Sequence, residues 1–131
     1  MVSRRTIALS MVALGGVTVA ASGHAADPMK AIYVGGWDCP PCTAWKNKYK
    51  AGWVASPEYA RITWIEVDAP KLKEAYQERY WPGDLKSVLD QLPRKSGTPR
   101  FLLVKNGKVV ANEFGGGQWS KFLDELRKQL G

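Results

Sequence analysis

"GGWDCPPCTAWK", residues 35–46, holds the only two cysteines of the chain, Cys39 and Cys42, with Pro40 and Pro41 between them. Three chemistries use such a pair: a structural cross-link, half of a metal site, or a dithiol that cycles with its disulfide. A cross-link stabilises by closing a loop of unfolded chain, and two intervening residues close almost none. A structural zinc site takes about four ligands. The chain offers one histidine, His24, and it falls in a segment read below as a targeting signal. The pair therefore points to redox cycling, the use of this spacing that needs no further ligand.

The flanks place the pair at the junction of a strand and a helix. "KAIYVGG", residues 30–36, is a short apolar run rich in β-branched residues and ended by two glycines, the pattern of a buried strand. Pro40 suits the first helical position, where an N–H has no partner anyway. Trp45, Tyr49 and Trp53 recur every fourth residue and give the helix an apolar face, with Lys46, Lys48 and Lys50 off it. Farther on, "RITWIEVD" (61–68) reads as a second strand and "APKLKEAYQERY" (69–80) as a helix with Leu72, Ala75, Tyr76 and Tyr80 on one side. "LKSVLDQL" (85–92) is another amphipathic helix. "RFLLV" and "VVANEF" flank Asn106-Gly107, a strong hairpin signal. "QWSKFLDELRKQL" (118–130) closes the chain as a helix with Trp119, Phe122, Leu123, Leu126 and Leu130 inward. The first two strands need a crossover and should pair in parallel, and the last two must be antiparallel. The expected architecture is α/β, a small mixed sheet flanked by helices.

The 131 residues suffice for one domain. Residues 1–26 read as a secretory signal: Arg4 and Arg5, an apolar run over 7–21, then small residues with cleavage after Ala25 or Ala26. The rival is an uncleaved anchor, but the run is shorter than the ~20 residues of a spanning helix. Adjacent arginines admit the twin-arginine route, although they are ordinary in a general secretory signal. The expected product is an exported domain over 27–131, periplasmic or secreted, where disulfides persist. Losing Arg4 and Arg5 lowers the formal net charge of +7 by two. The remaining basic surface favours acidic partners weakly. No nucleic-acid motif, repeat or low-complexity tract is present, and the six tryptophans are scattered.

The order of these pieces resembles the thioredoxin superfamily, in particular its exported bacterial members. "WDCPPC" follows a strand at a helix start, "WIEVDAP" is similar to the next strand, "GTPRFLLVKNGKVV" to the family's cis-proline segment and hairpin, and "FGG" to the glycine before its last helix. The resemblance implies a thioredoxin-like fold and a thiol–disulfide oxidoreductase with no cofactor beyond the Cys39–Cys42 pair. It implies a cis bond before Pro99, backbone contacts from Thr98 to a partner strand, and a partner-contacting role for Trp37. Protein thiols and disulfides are the implied partners, with a membrane electron donor if the protein is a reductant, and a monomer is expected. The sequence also departs from the family. Tyr33 stands where typical thioredoxins carry a buried carboxylate, and Asp38 replaces the aromatic residue before the first cysteine. Extra chain around "YWPGDLKSVLDQL" precedes the cis-proline loop, and 27–131 leaves no room for the family's additional N-terminal strand and helix.

Physical chemistry assigns roles within the pair. Cysteines three apart in a first helical turn lie near disulfide distance. Helix-start amides stabilise a thiolate on the N-terminal sulfur, so Cys39 attacks and Cys42 resolves. Pro40 and Pro41 lack amides, leaving those of Cys42 and Thr43, and Asp38 adds an opposing negative charge. Lys46, Arg94, Lys95 and Arg100 are candidate supporting cations. The balance favours a reductant or intermediate exchanger over a strong oxidant. An oxidant or isomerase on the same fold stands as the alternative. A second is a non-catalytic module that holds a partner or copper(I), although neither histidine nor a well-placed methionine completes a copper site, since Met29 precedes the first strand. Glu66 and Asp68 are candidate proton carriers, with Asp68 otherwise a cap for the following helix. Arg94 and Lys95 are a candidate acidic-partner dock or a plain solvated loop.

Overall fold

The computed structural model describes residues 28–131; the segment 1–26 read as a signal, the cleavage site expected at its end and His24 lie outside the described residues. Four strands form one sheet: β1 (Lys30–Gly36), β2 (Thr63–Ala69), β3 (Arg100–Lys105) and β4 (Lys108–Phe114), in the order β2-β1-β3-β4. β1 pairs in parallel with β2, while β1–β3 and β3–β4 are antiparallel. Ala31, Ile32, Tyr33 and Val34 are wholly buried, because β1 is central and covered on both faces. Asn106 (φ 51°) and Gly107 (φ 79°) turn the β3–β4 hairpin, both in the left-handed region that a two-residue loop of this hand demands.

The alternation of β1 sorts the core into two layers. Ile32 and Val34 pack with Val67, Leu85, Val88, Leu89 and Leu102 on one face. Ala31 and Tyr33 pack with Trp45, Trp53, Phe101, Trp119, Phe122 and both cysteines on the other. This second layer is an aromatic cluster, with Tyr33 stacked on Trp45 (centroids 5.2 Å apart) and Trp119 edge-on to Trp45 (5.0 Å). The pair thus sits on a rigid apolar floor at the C-terminal end of β1.

The first helix runs as α1 (Pro40–Trp45), a π-helical stretch over Lys46–Lys50, and α2 (Ala51–Val54). The wider stretch carries Lys46 and Lys50, which were expected to lie off the packed face. Instead they reach β2, pairing with Asp68 and Glu66. The helix expected over 69–80 is replaced by two single 3-10 turns, Leu72–Glu74 and Glu78–Tyr80, broken by an extended Gln77 (ψ 135°). Tertiary bonds outweigh local propensity here: the Trp81 indole N–H donates to the Ala75 carbonyl (2.8 Å), and the Tyr76 hydroxyl donates to the Gly97 carbonyl (2.6 Å). The next helix appears as α3 (Lys86–Gln91), with Leu85, Val88, Leu89 and Leu92 buried as their spacing predicts. The chain closes with α4 (Trp119–Leu130), which buries Trp119, Phe122 and Leu126. Among the described residues no helix is long and apolar enough to cross a membrane.

Candidate functional site

Cys39 caps the helix that Pro40 and Pro41 begin. Its backbone is extended (φ −109°, ψ 102°), and the chain turns helical immediately after it. Cys39 and Cys42 form a disulfide with their Cα atoms 5.2 Å apart. The sulfurs differ in setting. The Cys39 sulfur accepts the Cys42 amide at 3.2 Å and the Thr98 hydroxyl at 3.3 Å. Cys39 also lines an open cavity of about 520 Å³ with Trp37, Asp38, Pro40, Thr43, Ala44 and Asn47. Cys42 is 1% exposed and does not line that cavity. Both hydrogen bonds would favour a thiolate on Cys39, each stronger to a charged sulfur than to a neutral one.

Two of the expected neighbours act differently from the sequence reading. The Thr43 amide donates to the Cys39 carbonyl (3.0 Å) rather than to its sulfur, as the fourth residue of any helical turn does. Its place is taken by the Thr98 hydroxyl, where only backbone contacts from Thr98 were expected. The Thr98–Pro99 peptide bond is cis, and the Pro99 carbonyl accepts the Gly115 amide at 2.8 Å.

Trp37 is 70% exposed, the most exposed large hydrophobic side chain among the described residues. Its backbone is held by the Ala69 carbonyl, to which its amide donates at 2.9 Å. Asp38 accepts the Leu72 amide at 2.6 Å, so its carboxylate serves to close the turn beside the cysteines. None of the four candidate cations is found on the Cys39 sulfur. Lys46 is paired to Asp68 at 2.5 Å, Lys95 donates to the Leu92 carbonyl at 3.4 Å, Arg94 is exposed, and Arg100 is turned into the fold.

Beneath the pair lies Tyr33, whose hydroxyl is buried with no hydrogen-bond partner among the described residues. Burial, then the charges of Asp68 and Glu66, push its pKa far above the ordinary phenol value, so it stays neutral. Its ring end fits over Gly35, where a Cβ would collide with the hydroxyl. Lys46 reaches over the same ring, 5.2 Å from its centroid. Asp68 comes to this patch from β2, one oxygen on Lys46 and the other unpartnered and buried. No helix begins at Asp68 for it to cap. Glu66 sits farther down β2, accepting Lys50 at 2.7 Å and the Trp64 indole at 2.9 Å on one oxygen. Burial pushes its carboxyl up, but the Lys50 and Trp64 hydrogen bonds and the Lys50 and Lys46 charges outweigh it, holding the pKa below its ordinary value.

No family model matches the chain, and no curated protein matches it in sequence. Solved structures do match. The short form of thioredoxin f from spinach chloroplast superposes with a TM-score of 0.55 at 20% identity, over 81% of this chain and 80% of its own. The fold is thioredoxin-like. The periplasmic thioredoxin SoxS of Paracoccus pantotrophus, in its reduced form, gives a TM-score of 0.57 at 15% identity, over 79% of this chain and 99% of that one. Fasciola hepatica thioredoxin gives 0.52 at 18% identity, over 77% and 80%. At these identities the likeness is one of fold. In the thioredoxin-like fold of this chain, the strand–helix junction brings Trp37, Asp38, Cys39, Pro40, Pro41 and Cys42 together, and the loop leading into β3 adds Thr98 and Pro99. Sequence reasoning missed three contacts: the Thr98 hydroxyl on Cys39, the Lys46–Asp68 pair, and the buried Arg100 with Tyr76. The charged first residue of "RFLLV" was the one available signal for the last of these, since a buried strand seldom opens on an arginine without a partner waiting for it.

Proposed function

We propose that the protein is an exported thiol–disulfide oxidoreductase working as a reductant or intermediate exchanger. The observation that carries this reading is the Cys39–Cys42 disulfide at a helix start, with an amide and a hydroxyl donor on the Cys39 sulfur and an open cavity beside it. In the reduced state the Cys39 thiolate attacks a partner disulfide. One S–S bond forms between Cys39 and the partner, and the partner's second sulfur leaves as a thiolate that takes up a proton. Cys42 then loses its proton and attacks the Cys39 sulfur. The mixed disulfide breaks, the Cys39–Cys42 bond forms, and the partner's first sulfur leaves. Two electrons have passed to the partner, whose two thiols take up one proton from Cys42 and one from solvent. A dithiol donor must return two electrons for the next cycle, and in an exported protein a membrane electron donor is the expected source.

Trp37, exposed at the rim, offers a contact surface to partners, and Thr98 and Pro99 the backbone of a docking edge. Asp68, paired with Lys46, and Glu66, paired with Lys50, are the two candidate proton carriers. The direction of flow follows from the count of donors. One amide and one hydroxyl reach Cys39, since Pro40 and Pro41 have no N–H and the Thr43 amide is spent within the helix. That stabilises the thiolate modestly, which suits donation. Export rests on the signal read at 1–26 alone. Partner trapping tests the mechanism. A Cys42→Ser variant expressed in the host should accumulate mixed disulfides through Cys39, released by dithiothreitol. Equal trapping by Cys39→Ser would overturn the assignment of roles.

A further inference from the structure

Arg100 is 7% exposed, yet among the described residues no carboxylate pairs with it. Its Nε donates to the Tyr76 hydroxyl at 2.8 Å, its Nη1 to Asn112 Oδ1 at 2.6 Å, and its Nη2 to the Ser96 carbonyl at 2.8 Å. The Phe114 ring lies 5.3 Å from the guanidinium carbon. All four partners are neutral. A buried charge without a counter-ion is costly, and an apolar residue would serve a plain packing role better. What the charge gains is grip on one loop. Arg100 holds the carbonyl of Ser96. Tyr76, itself held by Arg100, donates to the carbonyl of Gly97. These two carbonyls directly precede Thr98, and Gly97 adopts φ +94°, a conformation in which a Cβ would also strike the Phe114 ring. The far side of the loop is tied down by Gly115 through the Pro99 carbonyl.

We propose that Arg100 and Tyr76 are positioning residues for disulfide exchange: they clamp the Ser96–Gly97 carbonyls so that the Thr98 hydroxyl donates to the Cys39 sulfur. The segment over 70–80 acquires a purpose from this. Its two 3-10 turns, in place of one helix, deliver the Tyr76 hydroxyl into the loop beside the cysteines. The proposal rests on the exchange reading of the site, but its readout, the protonation of a single thiol, does not depend on turnover.

The test uses a Cys42→Ser background of the full domain, in which Cys39 is the only thiol and its ionisation is followed by thiolate absorbance. Thr98→Val should raise the Cys39 pKa by about half a unit to one unit, the loss of one hydrogen bond to the thiolate. Tyr76→Phe, which removes one oxygen, should raise it in the same direction. Combined with Thr98→Val it should add nothing further, because both act through the same contact. Arg100→Lys, which keeps the charge and loses the fork, is the second arm, and it decides the matter if Tyr76→Phe does not fold. A Cys39 pKa unmoved by these variants while thermal stability falls would show a merely structural clamp and overturn the proposal. Shifts that simply add to that of Thr98→Val would overturn it as well. Failure of the exchange reading looks different: wild-type protein would reduce no disulfide at all, whatever the titration showed.

Discussion

Tyr33 illustrates how one side chain can be well packed and poorly satisfied together. Its ring is stacked in the aromatic layer, while its hydroxyl is buried with no partner among the described residues. An unsatisfied buried hydroxyl costs about 1–3 kcal/mol, so deleting it relieves a penalty. Tyr33→Phe should leave the protein as stable or up to ~1 kcal/mol more stable in urea unfolding. A loss of more than that would mean the hydroxyl has a partner in solution. Glu66 behaves oppositely. Folding brings it Lys50 and Trp64, so its folded pKa lies below its unfolded value. The resulting stabilisation is present above the ordinary carboxylate range and is lost as pH falls through the folded value. Glu66→Gln should therefore lower stability near neutral pH and converge with wild type in acid. Solvent screening of this partly exposed pair keeps the difference within ~1 kcal/mol. A gap that widened as the pH fell would contradict the sign.

At the scale of elements, the site is held by close backbone approaches at the end of β1. Gly36 lies against the Leu72 backbone, where a Cβ would come within 2.5 Å, and the Asp38 side chain fastens the same segment. Gly36→Ala must push Leu72 away and disturb the Trp37–Asp38 turn. Its expected cost is about 1–3 kcal/mol, the range for overpacking, with a fall in exchange rate beside it. Unchanged stability and rate would show that the 3-10 segment is free to shift. The strand–helix junction and the hairpin were legible because their signals are local: apolar β-branched runs, prolines after Cys39, and Asn106-Gly107. The 70–80 segment was not. Its apolar residues fit a helical period well enough, but Tyr76 and Trp81 find their partners in Gly97 and Ala75, and bonds of that kind leave no periodic trace. The π-helical stretch was equally hidden, since only β2 supplies the carboxylates that draw Lys46 and Lys50 down.

For the whole molecule, the two faces of the sheet divide the work. One layer is mostly aliphatic, with Tyr76 and Trp81 at its edge, and joins the sheet to α3. The other is aromatic and carries the cysteines on Trp45, Phe101 and Trp119. The candidate site was legible as far as Cys39, Cys42, Thr98 and Pro99, whose residue types state their chemistry. Arg100 and Tyr76 were illegible because their importance lies in a loop they brace and not in chemistry of their own. The energetic balance of the oxidised and reduced forms is likewise a property of the whole fold. Its direct measure is the reduction potential, taken by equilibrating the domain with dithiothreitol or glutathione buffers and following the change in tryptophan fluorescence. A reversible two-electron transition nearer the about −270 mV of thioredoxin than the about −120 mV of the strongest oxidant of the fold is the predicted result. A transition close to −120 mV, or no two-electron transition in any of these buffers, would contradict it.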